Sequence, residues 1–149
     1  MSMKGGELSP NELKNLINES YKGDTSRQEN IGNFVYDKDL SNNKASVYHN
    51  TKTGQATIVH RGTNSTATDW SHNLSYALGL YDYTNRSKKG KDTQKAVEEK
   101  YGAKNVSTIG HSQGAINARN YGKNTHEIIN LNEAYTPSLK YRKPSRNEK

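Results

Sequence analysis

Short apolar runs separated by long polar stretches mark out the elements of this chain. Ser9-Pro10-Asn11-Glu12 has the form of a capping box, with Ser9 as N-cap, Pro10 at the first helical position and Glu12 three residues on. It opens a short helix to about Ser20, with Leu13, Leu16 and Ile17 on one face. Asn33 to Tyr36 reads as extended, and the Lys, Asp, Asn and Ser stretch to Lys44 as a loop. The runs Ala45 to His49 and Gln55 to His60 are rich in β-formers. The turn between them contains Gly54, suited to positive φ, so the pair predicts a hairpin. Leu74 to Tyr83 reads as a helix or lid-like segment and Lys88 to Lys91 as a charged linker. Asp92 is expected to cap a helix over Thr93 to Tyr101, stopped by Gly102. Val106 to Ile109 is a β-branched run, Gly110 to Gly114 a tight turn, Ala115 to Tyr121 a helix ended by Gly122, and Glu127 to Leu131 a further strand.

The order strand, strand, helix, strand, helix, strand predicts an α/β fold. At least its second half should be parallel, because a strand-helix-strand crossover joins parallel neighbours. A length of 149 residues fits one domain, read here as 1–139, followed by a basic and flexible tail over 140–149. In that tail Lys140, Arg142, Lys143, Arg146 and Lys149 face a single Glu148. Such a run is usually a solvated terminus, and its functional alternative is weak attraction to polyanions, anionic lipid or an acidic partner.

Composition narrows the chemistry. Hydrophobic residues make up 30% of the chain, the mean hydropathy is -1.13 and Asn occurs 18 times, so the core must be assembled from a few short runs. Ten Tyr supply half-buried rings with hydrated hydroxyls. With no Cys there is neither a disulfide framework nor a thiolate metal site, and the five His lack the spacing of a zinc hydrolase. No cofactor is expected. No apolar run approaches the ~20 residues of a membrane span, and residues 1–10 have no signal-peptide character, so a soluble protein of a cytoplasm or a virion is the expectation.

Gly110-His111-Ser112-Gln113-Gly114 matches G-x-S-x-G, the strand-turn-helix elbow that projects a nucleophilic serine. Small residues are needed at its two ends because strand and helix approach without room for a Cβ. In a chain with 12 Gly and 14 Ser the string can arise by chance, leaving a loose turn and an inert serine. Its context, a β-branched run before it and an Ala-rich helical start after it, is the one the motif requires.

Val59-His60-Arg61-Gly62-Thr63, then Asp69-Trp70 and Asn73-Leu74, resemble the Arg-Gly-Thr, Asp-Trp and Asn-Leu signature that precedes the Gly-His-Ser elbow of class 3 lipases. The resemblance spans about Val35 to Pro137, with Leu131 to Pro137 similar to the strand end and proline-bearing loop after the elbow helix. It implies an α/β-hydrolase-like sheet in truncated form and a serine esterase acting on a small-molecule or lipid ester. Ser112 would be the nucleophile, Thr63 and the backbone N–H of Gln113 the oxyanion-hole donors, and Asp69 and Trp70 the start of a lid over the substrate. The texture also resembles small lipase-like proteins of large DNA viruses.

The triad is the gap. The α/β-hydrolase order is Ser, then an acid, then His, yet after Ser112 there is no Asp, the acids are Glu127, Glu133 and Glu148, and the single His, His126, precedes Glu133. Glu133, just past a strand's C-terminal end, is the best candidate acid. His126 should lie at the wrong end of the sheet, His111 should point away from the pocket, and His60 and His72 are weaker alternatives for the base, since a lone His is usually structural. The chain is accordingly a fragment completed by a second chain, an enzyme with an unorthodox base, or a catalytically inactive lipase-like module that binds through its basic surface. No nucleic-acid motif is present.

Overall fold

A computed structural model describes residues 8–62, 83–111, 114–131 and 146–148, and the side chains of all of these except 83–87. It is an α/β structure with one six-stranded open sheet in the order β1-β2-β3-β4-β5-β6. The strands are β1 (Asn30–Ile31), β2 (Phe34–Tyr36), β3 (Ala45–Asn50), β4 (Ala56–His60), β5 (Val106–His111) and β6 (Glu127–Leu131). β1 to β4 form an antiparallel meander, whereas β4, β5 and β6 run parallel. The predicted hairpin is β3–β4, with Gly54 at φ 77°, and the predicted parallel second half is present.

Helices cover both faces. α1 (Pro10–Ser20) begins with the predicted capping box: Ser9 Oγ accepts from the Glu12 N–H at 3.1 Å and Glu12 Oε1 from the Ser9 N–H at 2.9 Å. Leu16 and Ile17 of α1 bury against Phe34, Tyr48, Val59 and Ile109 on one face of the sheet. On the other face α2 (Tyr83–Tyr101) packs Val97 against Val47, Ile58 and Val106. Beside it lies α3 (Gly114–Tyr121), whose Asn117 abuts Gly90 of α2 so closely that a Cβ there would sit 2.6 Å from Asn117 Nδ2.

α2 corrects the expectation of a linker at Lys88 to Lys91 with a cap at Asp92, because these residues lie inside the helix. The stripe it buries is Gly90, Thr93, Gln94 and Val97, spaced as one helical face but mostly polar, so no apolar periodicity betrays it. Gly102 stops the helix at φ 86°, as its position predicts. The segment expected as a lid, Leu74 to Tyr83, lies outside the described residues except for Tyr83. Within the expected tail, residues 146–148 are docked on the sheet: the Ile128 N–H donates to the Asn147 carbonyl at 2.9 Å, and Glu148 bridges Ile128 in parallel.

The α1 end of the molecule is pinned by a cation. Arg27, whose side chain is fully buried, donates to the carbonyls of Ser20 (2.8 Å), Asn42 (2.7 Å) and Glu19 (3.1 Å) and to the Tyr36 hydroxyl (2.8 Å). The guanidinium thereby ties the end of α1 to the loop before β3. Arg27→Met keeps the stem but strands these carbonyls, and we expect it to destabilise the fold by about 3 kcal/mol or more. A urea midpoint within error of the native protein's would show that Arg27 does not pin this end.

Candidate active site around the β5–α3 junction

β4, β5 and β6 end side by side, His60 opposite Gly110 and His111 opposite Leu131. Only positions 112 and 113 lie between the end of β5 and the start of α3. Two glycines make this junction sterically feasible. A Cβ on Gly114 would overlap the carbonyl of His60, and one on Gly110 would lie 2.6 Å from Ala115 Cα and 2.9 Å from Ala118 Cβ. The first turn of α3 thus lies directly on the ends of β4 and β5, and neither site has space for a larger residue.

A single hydroxyl ties the same region from the α1 face. Tyr21, which caps the C-terminus of α1, accepts from the Gly62 N–H at 3.1 Å and stands 2.5 Å from His111 Nδ1, with the two rings edge to face at 5.3 Å. The Tyr21 hydroxyl thus joins the Gly62 N–H and His111 Nδ1, with the direction of its bond to the ring set by the His111 tautomer. Gly62 and His111 are therefore neighbours of one hydroxyl, and Thr63 and Ser112 are each the next residue along the chain. Burial holds the His111 imidazole below its ordinary pKa, which favours the neutral ring.

The sequence-predicted site residues Ser112, Gln113, Thr63, Asp69, Trp70 and Glu133, together with His72, lie outside the described residues. Of the other four imidazoles, His49 lies on β3 opposite Ala56, at the end of the sheet away from the junction, and stacks on Tyr101 at 5.2 Å. His60 is buried, and its Nε2 lies 2.8 Å from Gln94 Oε1. Gln94 Nε2 donates to Glu98 Oε2 (2.9 Å) and Thr108 Oγ1 (3.0 Å), which fixes the amide with its oxygen toward His60, so Nε2 carries the proton. His111 faces α1. His126 precedes β6 and lies at the opposite end of the parallel strands, as its sequence position implies. Among the described residues no group of His, Asp and Glu could hold a metal ion, and no helix is long and apolar enough to cross a membrane.

Two features were not legible beforehand. An apolar groove of about 360 Å³ runs between α1 and the strand ends, walled by Leu13, Ile17, His111 and Leu131. Asn130, on β6 opposite Gly110, has both side-chain amide atoms buried without a hydrogen-bond partner, and its Oδ1 occupies the space where a Gly110 Cβ would go. A buried unpaired amide costs about 1–3 kcal/mol, so a polar group kept beside the junction stands out from a merely structural contact. No sequence signal separates Asn130 from the other 17 Asn. Comparison of the chain with protein-family models, with curated proteins and with solved structures gives no match.

Gly114→Ala drives a Cβ into backbone that cannot move aside, and we expect a loss of more than about 3 kcal/mol or outright insolubility. Gly23→Ala, at a position with nothing within 4 Å and φ -61°, is the control, expected within about 0.5 kcal/mol of the parent. Equal unfolding midpoints for the two variants would refute the close approach.

The His111 linkage has a defined sign. A folded-state pKa below the unfolded value of 6.5 means that the unfolded chain binds the proton more readily. The contribution is complete above about pH 6.5 and is lost as pH falls through that value toward the lower, folded one. Melting temperatures measured from about pH 7.5 to pH 5 should therefore fall less steeply for His111→Gln than for the native chain. Parallel curves would remove the argument for a neutral, half-buried His111.

Proposed function

We propose that this chain is a serine hydrolase acting on carboxylic esters, built on an α/β-hydrolase-like sheet of the class 3 lipase kind. The observation that carries the reading is the junction itself: two glycines that tolerate no side chain, Gly110 in β5 and Gly114 opening α3, with two residues between strand and helix, at the C-terminal ends of three parallel strands. That is the steric requirement of a nucleophile elbow, and it falls on the glycines of G-x-S-x-G. In this reading Ser112 Oγ bonds to the ester carbonyl carbon as its proton passes through a base to the leaving alcohol, whose C–O bond breaks, and water later hydrolyses the acyl-enzyme to the acid and free Ser112. Thr63 and the Gln113 N–H stabilise the oxyanion, each contributing on the order of 3 kcal/mol. The shared Tyr21 hydroxyl supports their proximity, since it holds Gly62 and His111 together. The apolar groove beside Leu131 offers a surface on which an acyl chain could lie.

A second reading is a catalytically inactive lipase-like module, and the imidazoles favour it. His60 Nε2 is committed to Gln94, His111 Nδ1 to Tyr21, and His49 and His126 lie at the other end of the sheet. Under the hydrolase reading the base would instead come from His72 or from a second chain, with Glu133 as its acid. An oxyanion hole without a base still leaves about 10³-fold catalysis over water.

A fluorophosphonate probe separates the two readings. We expect covalent labelling of the native chain, its loss in Ser112→Ala, and about 10²-fold slower labelling in Thr63→Val. A folded native protein that remains unlabelled would transfer the assignment to the binding module.

A further inference from the structure

At the end of the sheet opposite the β5–α3 junction the chain forms a cleft of about 620 Å³. Its walls come from three separate stretches of sequence: the turn before β5 with Lys104, the α3–β6 loop with Lys123 and His126, and the C-terminal segment with Arg146. The four basic side chains are exposed, and among the described residues none of them makes an ion pair or a side-chain hydrogen bond. The cleft contains one carboxylate, Glu148, and that group faces Arg119 of α3 at 3.5 Å. Among the described residues, Lys104, Lys123 and Arg146 therefore present three positive charges that no carboxylate pairs.

The third wall is fastened in place. Asn147 Nδ2 donates to the carbonyls of Gly122 (3.0 Å) and Thr125 (2.9 Å), and its own carbonyl accepts from the Ile128 N–H. Arg146 is thereby held facing the loop that carries Lys123. Three like charges drawn from separate parts of the sequence to the walls of one concavity make its potential positive, and a concave wall focuses that potential on an anion.

We propose that this cleft binds a small polyanion carrying more than one phosphate group, with Lys104, Lys123 and Arg146 as its ligands. Phosphate matches the donors, since Arg offers a bidentate fork and the lysines mobile point charges. The volume lies within the ~300–1,000 Å³ range of small-molecule sites, and concavity favours a compact ligand over a flat anionic bilayer. This site is separate from the ester chemistry, because it lies at the N-terminal rather than the C-terminal ends of the parallel strands.

Inorganic tripolyphosphate is the probe, titrated calorimetrically into the native chain at low and at moderate salt. We expect one saturable site, binding at least about tenfold tighter than orthophosphate. The double variant Lys123→Ala/Arg146→Ala should weaken it by at least about tenfold, while Lys52→Ala/Lys95→Ala, which removes the same charge from exposed positions elsewhere, should leave it within about twofold. Circular dichroism checks that both variants stay folded, and Lys104→Ala alone should weaken binding if the double variant fails to fold. Equal weakening by both double variants would reduce the effect to net charge and overturn the site, as would non-saturable binding. Orthophosphate binding as tightly as tripolyphosphate would overturn the polyvalent ligand. A single-stranded oligonucleotide that displaces tripolyphosphate and binds more tightly would reassign the cleft to a nucleic-acid backbone.

Discussion

The arrangement of this molecule depends on the absence of side chains at two points. Where α3 meets the sheet, Gly114 lies on the carbonyl of His60 and Gly110 on the backbone of Ala115, so helix and strands touch almost backbone to backbone. From that contact α3 continues with Ala115 and Ala118 inward, small residues that maintain the close seating. Its outer side then brings Asn117 to Gly90 of α2, where a third missing Cβ lets the two helices cross. A helix seated farther from the sheet would open voids along β5 and lose the dispersion contacts on which close packing depends. The seating also shortens the link between β5 and α3 to two residues.

How a chain with 30% hydrophobic residues sustains two buried faces follows from the sheet's α2 side. There His60 donates to Gln94, Gln94 to Thr108, Thr108 to Thr125, and Thr125 to the Gly122 carbonyl at 2.6 Å. Each group donates onward, so a row of polar residues is buried with its hydrogen bonds made internally. Asp37 repeats the device at the far edge. Its burial alone would raise its pKa, yet hydrogen bonds from Lys100 (2.7 Å) and Tyr101 (2.6 Å) hold it below the ordinary carboxylate value, and the Tyr101 hydroxyl is pushed up to about 12. Apolar area is replaced by satisfied polar contacts, which demand more specific geometry than hydrocarbon does. This is why single residues such as Arg27 carry so much of the architecture.

The same device decides what the sequence could reveal. Features coded by local chemistry were legible: the capping box at Ser9, the hairpin around Gly54, the helix stop at Gly102, and the parallel strands on either side of α3. Features coded by polar burial were not. The first half of α2 buries Gly90, Thr93 and Gln94 and so looks like linker, and Arg27 is indistinguishable in sequence from a surface arginine. The docking of Asn147 on Gly122 and Thr125 depends on two carbonyls brought together by a loop, which no short window of residues encodes. At the candidate site the glycines were readable because their requirement is steric and local. The base was not, because an imidazole's role depends on what faces it across the fold.

That last point bears on how a nucleophile here could be completed. His60 and His111 flank the junction, but each is bonded to a partner that orients a structural element: Gln94 joins α2 to the sheet, and Tyr21 joins α1 to the strand ends. Withdrawing either imidazole for proton transfer would leave a buried donor or acceptor unpaired, at about 1–3 kcal/mol. A base supplied by another chain as a strand added along β6 meets a different obstacle. The Ile128 N–H at that edge already donates to Asn147, and Glu148 already bridges Ile128, so an added strand must displace the C-terminal segment and the Arg119–Glu148 pair with it. Both routes disturb contacts that hold the ends of the sheet together. A group brought to that end of the sheet by any other route would leave these contacts in place.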